Sequence, residues 1–324
     1  MLNQIIAKIA EFERIIIVAH QHADGDALGS CFGLRTVLRE FYPNKEILVM
    51  GKHTKDNGTM FPLFDEVRDE FIAESLAVVL DTANAERVDD ARFAQAKFVI
   101  KIDHHPSREE YGNLNYVRPE ISSTSELVTD LARQLAGEML ISKEAATYLY
   151  AGVMSDTMSF STNSTNASAL ETASYLARCG VKLEEVAYHF RAKELPVYQL
   201  ITEMRSKLVI EEGKLAYVIV TKEMYRKYDL TFEDVKGNVG EFSRILGLYI
   251  WCVFIEQEDA AYPYQGSLRS RYVGINDIAA KFRGGGHVYA AGVKLAGIDE
   301  VYALIGCLRD RIKEGKKNET EFSI

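Results

Sequence analysis

The residues with the most chemistry in this chain are aspartates and histidines that recur at the ends of apolar runs. His20, Asp24 and Asp26 follow "RIIIVA", Asp81 ends "LAVVLD", Asp103, His104 and His105 end "KFVIKIDHH", and Asp156 stands in "YAGVMSDT". A lone aspartate after a strand is ordinarily a turn residue or a helix cap. Four clusters of the same chemistry are harder to explain by capping, because gathered charges cost stability unless something binds them. Carboxylates and imidazoles without thiolates suit a hard or borderline divalent cation such as manganese, magnesium or iron. Five aspartates exceed the needs of one ion. Two ions sharing a bridging carboxylate, roughly 3.5–4 Å apart, would use them. Such a pair suits in-line displacement at phosphorus, activating a water and neutralising the attacking and leaving oxygens. A serine-nucleophile reading of Ser155-Asp156-Thr157 fails, since no elbow pattern surrounds the serine.

These side chains need a fold that delivers them together. "RIIIVAH", "EILVM", "SLAVVLD" and "KFVIKID" are short and almost continuously apolar, which predicts strands covered on both faces. "DALGSCFGLRTVLREFY" has helical spacing in Leu28, Phe32, Leu34, Val37, Leu38 and Phe41. "STSELVTDLARQLAG" opens with a capping box, Ser123 to Glu126, and closes on Gly137. "KEAATYLYAGVMSDT" predicts a helix that breaks near Asp156. Strands alternating with helices predict an α/β fold with a doubly wound, mainly parallel sheet. In such a sheet ligands bind beyond the carboxyl ends of the strands, where the polar clusters stand. "KLAYVIVTKEMY", "YIWCVFIEQ" and "VYAAGVKL" predict further strands in the C-terminal half.

Composition narrows the function class. With 324 residues the chain is long enough for two cores. A net charge of −9 argues against a general basic surface that coats long nucleic acid. It leaves room for a small anion held locally. Between Gly266 and His287 stand Arg269, Arg271, Lys281 and Arg283 against Asp277 as the one acid, a local anion-attracting patch. Gly284, Gly285 and Gly286 permit positive φ and let backbone N–H groups approach an anion, with His287 beside them as a donor. Cys31, Cys179, Cys252 and Cys307 have no paired spacing; they read as reduced thiols of a cytoplasmic protein, not a zinc site. No apolar run approaches a membrane span. "MLNQIIAKIAEFERIIIVAH", broken by Lys8, Glu11, Glu13 and Arg14, reads as an amphipathic helix entering a strand, not a signal peptide. No membrane partner is expected, and a homodimer is compatible with the sequence.

"HADGDALGS", "VVLDTAN", "IDHHPS" and "GVMSDTMSF" resemble, in order and approximate spacing, the four motifs of the DHH phosphoesterase superfamily, named for the triplet Asp103-His104-His105. "FRGGGHVYAAG" resembles the glycine-rich motif of the smaller DHH-associated C-terminal domain. The chain length and "GSLRSR" resemble the nanoRNase-type bacterial enzymes, also described as 3′-phosphoadenosine 5′-phosphate phosphatases. RecJ-type exonucleases share the motifs but are larger. The resemblance implies a catalytic domain over residues 1–183, a helical connector over 184–206 and a smaller α/β substrate-binding domain over 207–324, with the active site in the cleft between the domains. It implies His20, Asp24 and Asp81 as ligands of one metal, and Asp26, Asp81, His104 and Asp156 as ligands of a second, with Asp81 bridging. Asp103 would orient the histidine beside it, and His105 would face the phosphate. Arg269 and His287 would hold a terminal phosphate, with Ser267 and the three glycines beside them. The implied cofactor is two Mn²⁺ ions, replaceable by Mg²⁺ or another divalent cation. The implied substrates are oligonucleotides of about two to five nucleotides and bisphosphorylated nucleosides. Two alternatives are a phosphodiesterase of cyclic or linear dinucleotide messengers, and a non-catalytic nucleotide sensor. A sensor would be marked by loss of a ligand, and every ligand position here is filled.

Overall fold

Runs of isoleucine, valine and leucine pack well on a pleated surface, and they escape alternation only where both faces of a sheet are covered. The computed structural model describes residues 1–54, 57–106, 109–162, 164–236 and 238–315. They form two compact units, Met1–Ala192 and Lys193–Ile324. In the first, β1 (Arg14–Val18), β2 (Glu46–Val49), β3 (Leu76–Leu80), β4 (Phe98–Asp103) and β5 (Leu114–Val117) make an all-parallel sheet in the order β2-β1-β3-β4-β5. Ile15, Ile17, Val78 and Ile100 enter one core, and Ile16, Val18, Val79 and Val99 enter another on the opposite face. Both faces are therefore covered, as the apolar runs predict. The sequence pattern does not announce β5. Its "LNYV" is short and half-buried at the sheet edge. The strand order reverses between β1 and β3, the switch point at which a crevice opens beyond the carboxyl ends.

The helices of this unit are α1 (Leu2–Glu11), α2 (Gly25–Phe41), α3 (Asp69–Ala73), α4 (Thr124–Ala136), α5 (Lys143–Asp156), α6 (Ala167–Arg178) and α7 (Leu183–Arg191). Ser123 caps α4 by accepting the Glu126 N–H at 3.2 Å. The other half of the expected capping box is not made. Glu126 is buried, and its carboxylate accepts from the hydroxyls of Ser122, at 2.7 Å, and Ser168. The predicted break near Asp156 is the end of α5. Close helix contact brings that end inward. A Cβ on Gly29 of α2 would stand 2.6 Å from the Tyr148 carbonyl oxygen, and one on Gly152 of α5 would stand 1.9 Å from Ser125 Oγ. Glycine at both positions lets α5 press against α2 and α4, which carries Asp156 toward Asp26.

The second unit holds β6 (Val209–Glu211), β7 (Leu215–Val220), β8 (Ile250–Glu256), β9 (Tyr264–Ser270), β10 (Gly285–His287) and β11 (Ala290–Leu295) in one mixed sheet, ordered β10-β11-β9-β8-β7-β6. Its helices are α8 (Leu195–Ser206), α9 (Lys222–Arg226), α10 (Phe232–Val235), α11 (Asn276–Lys281) and α12 (Ile298–Gly315). Cys252, Phe254, Leu268 and Val293 pack with α12 residues on one face, while Trp251, Val253 and Val218 pack with α8 residues on the other. The fold is thus α/β in both units. Among the described residues no helix is long and apolar enough to cross a membrane.

Candidate active site

Four strand or helix ends converge in the first unit. His20 follows β1, and its Nδ1 lies 2.9 Å from the Gln21 carbonyl oxygen. That contact seats a proton on Nδ1 and turns Nε2 toward the carboxylates. Nε2 stands 3.3 Å from Asp81 Oδ2 and 3.8 Å from Asp24 Oδ1. Asp24 is also the N-cap of α2, accepting from the N–H groups of Asp26 (3.0 Å) and Ala27 (3.2 Å). The ordinary capping reading is correct for this residue, and the cap fixes the same carboxylate beside His20.

Asp81 is the first residue past β3, at φ 53°. This left-handed conformation is one that a short polar side chain tolerates better than a branched one. Its two oxygens face different groups. Oδ2 meets His20, whereas Oδ1 lies 3.5 Å from both His104 Nε2 and His105 Nδ1 and accepts from Thr124 Oγ1 at 3.1 Å. His104 repeats the arrangement of His20: Nδ1 is 3.3 Å from the Ile121 carbonyl oxygen, and Nε2 is 3.1 Å from Asp156 Oδ2. Asp26 is fully buried, and both its oxygens are held by the first amides of α4, Thr124 N–H at 2.7 Å and Ser125 N–H at 2.9 Å.

The side chain of Asp103 departs from its expected use. Its Oδ1 accepts from both the backbone N–H (3.1 Å) and Nδ1 (2.9 Å) of His105, not from the adjacent His104. His104 points its Nδ1 to a backbone carbonyl instead, so Asp103 turns past its neighbour to the next ring.

The donor set fits divalent cations. Three groups of ligand atoms lie within 4.8 Å of one another: His20, Asp24 and Asp81; Asp26, His104 and Asp156; and Asp81, His104 and His105. His104 Nε2 is buried yet makes no well-directed hydrogen bond, although carboxylate oxygens are near. An imidazole nitrogen set among carboxylates in this way is available to a cation. Burial and the charges of Asp81 and Asp26 push the thiol of Cys31 far up, so it stays neutral and the donors are oxygen and nitrogen. Protonation reports the same charge surplus. Burial, then Asp81 and Asp156, push Asp26 well above the usual carboxylate range. Burial also raises Asp81, against the pull of His20. Burial disfavours the charged form of His20, yet its contacts with Asp24 and Asp81 prevail and hold it at about 10. His104 is held at about 10 by Asp156, Asp26 and Asp81 against the same burial effect.

The second unit places its expected residues on one sheet face. Across the strands His287 pairs with Ala290, Ala290 with Arg269, and Arg269 with Trp251. Directly paired residues share a face, so Arg269 and His287 flank the small Ala290. Ser267, two residues from Arg269, shares that face and pairs with Gly292, itself opposite Gly285. Burial lowers the guanidinium pKa of Arg269.

Two of the three glycines stand in a paired strand, so the positive φ that the sequence permits at all three is used at one. Gly285 and Gly286 pair with β11, and of the three glycines only Gly286 has positive φ, 143°. A Cβ at Gly284 would stand 2.1 Å from the Gly292 carbonyl oxygen, and one at Gly286 would stand 2.3 Å from that of Ala290. Those glycines allow close strand approach, and Gly285 has open space. The basic patch is also smaller than the sequence suggests. Arg283 pairs with Glu300, and Arg271 donates to the Ser243 carbonyl at 2.8 Å over the Trp251 ring.

Sequence reasoning missed Thr124 and Ser125, which hold Asp81 and Asp26. "SSTSE" carries a capping signal, but nothing local in it points to carboxylates about a hundred residues earlier.

Residues 14–153 match the sequence profile of the DHH family, N-terminal domain, and residues 212–314 match that of the DHHA1 domain. A Streptococcus mutans protein named a probable bifunctional oligoribonuclease and PAP phosphatase NrnA is 33% identical, over 92% of this chain and 96% of its own. The Bacillus subtilis bifunctional oligoribonuclease and PAP phosphatase NrnA is 32% identical, over 97% and 99%. The crystal structure of an exopolyphosphatase-related protein from Bacteroides fragilis superposes with a TM-score of 0.84 at 27% identity, covering 97% of this chain and 96% of that one.

Proposed function

The chain belongs to the DHH family and is a phosphoesterase, and from that premise we propose that it hydrolyses short oligonucleotides to mononucleotides and removes the 3′-phosphate of 3′-phosphoadenosine 5′-phosphate. The family is metal-dependent, and we assign the cofactor as two divalent cations, Mn²⁺ before Mg²⁺. His20, Asp24 and Asp81 would hold one, and Asp26, Asp81, His104 and Asp156 the other. One observation carries this reading: the two oxygens of buried Asp81 face separate histidine–aspartate groups. When bound, the cations supply Lewis acidity, which makes water a nucleophile at neutral pH and offsets charge on the phosphoryl oxygens.

The chain's own residues do the rest. The α4 amides pre-orient Asp26, and Thr124 pre-orients Asp81, so the ligands need little rearrangement. His105, with Nδ1–H given to Asp103, turns Nε2 to the substrate, and as the imidazolium it gives the Nε2 proton to the oxygen that leaves phosphorus and becomes neutral. Arg269 and His287, with Ser267, bind an end phosphate. The homologous names support both substrates, because each relative is described as acting on oligoribonucleotides and on PAP.

The test is product analysis with end-labelled chains from two to 24 nucleotides and with 3′-phosphoadenosine 5′-phosphate, in added manganese. Mononucleotides released from the shortest chains, and AMP from the bisphosphate, are expected. No hydrolysis of either class would overturn the reading, and exclusive action on cyclic or linear dinucleotides would replace it with the messenger alternative.

A further inference from the structure

Lys101 has no place in the reading so far, and its position is unusual. It stands inside the apolar strand β4, fully buried. A buried ammonium is costly unless its hydrogens and charge are satisfied. Two carbonyl oxygens accept from it, and one carboxylate balances its charge. Nζ donates to the carbonyl oxygens of Ala83 (2.8 Å) and Glu109 (3.1 Å), and Asp103 Oδ2 lies 3.5 Å away. The Tyr111 ring closes one side, with Nζ 4.9 Å from its centroid, and its hydroxyl donates to the Thr82 carbonyl at 2.8 Å.

The contacts form a chain that leads into the site. Residues 101 and 103 share a face of β4 by strand alternation. Asp103 is fully buried; its Oδ2 has no hydrogen-bond partner and faces the ammonium, while its Oδ1 holds the backbone N–H and Nδ1 of His105. His105 is much more open, with its side chain 40% exposed, so packing alone does not fix its ring. Ala83 lies two residues past Asp81, and Glu109 lies on the loop that follows the two histidines. One ammonium therefore ties the segment carrying Asp81 to the segment carrying His104 and His105.

We propose that Lys101 is a positioning residue for the reaction: it fixes Asp103, which orients His105 so that Nε2 meets the leaving oxygen. This rests on the phosphoesterase reading above and on the role given there to His105. Lys101 is fully buried, and its contacts are with Ala83, Glu109, Asp103 and Tyr111, none of them a proposed cation ligand. Its effect passes through His105, and that separates positioning from a general contribution to stability.

A double-mutant cycle tests this on a 5′-phosphorylated dinucleotide with manganese, comparing wild type, Lys101→Met, His105→Ala and the double variant. Lys101→Met should lower kcat by about 10²-fold, within the range of lost acid catalysis, while KM stays within about threefold. In the His105→Ala background the same change should cost less than about threefold, because the group that it positions is gone. Manganese content should match wild type in all four proteins. An equal factor in both backgrounds, or lost manganese, would show that Lys101 is a structural staple and overturn the inference. Should Lys101→Met not fold, Lys101→Met/Asp103→Asn removes both charges and leaves an oxygen to accept from His105. Wild-type kcat in that folded variant would also overturn the inference, whereas a loss that disappears with His105→Ala would uphold it. A wild-type protein that does not hydrolyse the dinucleotide would refute the broader reading and not this link alone.

Discussion

The first unit gathers its candidate groups by burial, and the second displays its own on a sheet face. In the first, Asp26, Asp81 and Asp103 are almost wholly hidden; α4 holds the carboxylates of Asp26 and Asp81, and His105 holds that of Asp103. In the second, Arg269 is half-buried and His287 exposed, and cross-strand register alone aligns them. The difference follows from the chemistry asked of each. Like charges held a few ångströms apart need rigid, partly dehydrated supports. A face proposed to meet an end phosphate needs only correctly spaced donors, with water still present.

That contrast predicts a hierarchy of mutational effects. The largest belongs to Asp81. Asp81→Ala and Asp156→Ala should each lower kcat by at least about 10³-fold in excess manganese, the scale expected when charge stabilisation at phosphorus is lost. Both variants should fold, because removing one of several crowded carboxylates relieves repulsion. Near-wild-type turnover by Asp81→Ala would break the two-cation reading and with it the contrast between the units.

His104 and His105 should then divide. His104→Ala should lose manganese on elemental analysis, whereas His105→Ala should retain it and lose on the order of 10²–10⁴ in kcat. Equal metal loss in both would mean that the Asp103 contact does not keep His105 apart from the ligands.

Arg269→Ala, on the open face, should be milder. It should raise KM for a dinucleotide by about tenfold, the scale of one charge-assisted phosphate contact, and leave bis(p-nitrophenyl) phosphate hydrolysis unchanged. An equal loss on both substrates would make Arg269 structural.

The smallest effect is on stability, and its sign follows from proton binding. His20 and His104 titrate at about 10 in the folded chain against an ordinary 6.5, so their stabilisation is complete below 6.5 and is lost as pH rises through 10. Asp26 and Asp81, raised above the ordinary 3.8, act in the same direction: the folded state binds the extra protons, so stability falls as pH rises. In EDTA, the Tm of the first unit should drop by several degrees between pH 6 and pH 9, and manganese should remove most of that slope. The second unit has no comparable charge cluster among its described residues and should show little slope. A flat Tm in EDTA would remove the claim that crowded charge sets the first unit apart.

Much of the site was legible before the fold. His20, Asp24, Asp26, Asp81, His104 and Asp156 were marked by residue type and by their place at the ends of apolar runs, and "RIIIVAH" and "SLAVVLD" were legible as strands because each pattern is local. β5 was not, since "LNYV" at a sheet edge lacks an apolar run. The glycines of "RGGGH" suggested backbone amides free to approach an anion; the strand that Gly285 and Gly286 enter depends on β11 lying close enough to forbid a Cβ at Gly284 and Gly286.

The sequence by itself determined which groups could bind charge and in what order along the chain, because composition and periodicity are properties of neighbouring residues. Tertiary structure alone decided how each group is held. Asp26 is gripped by amides 98 and 99 residues away, Asp81 divides its oxygens between two clusters, and Asp103 turns past His104 to His105. A buried polar atom must find a partner wherever the packed chain brings one. Lys101 has the same origin: in sequence it interrupts an apolar strand, and only the folded loops around it supply the acceptors that make its burial tolerable.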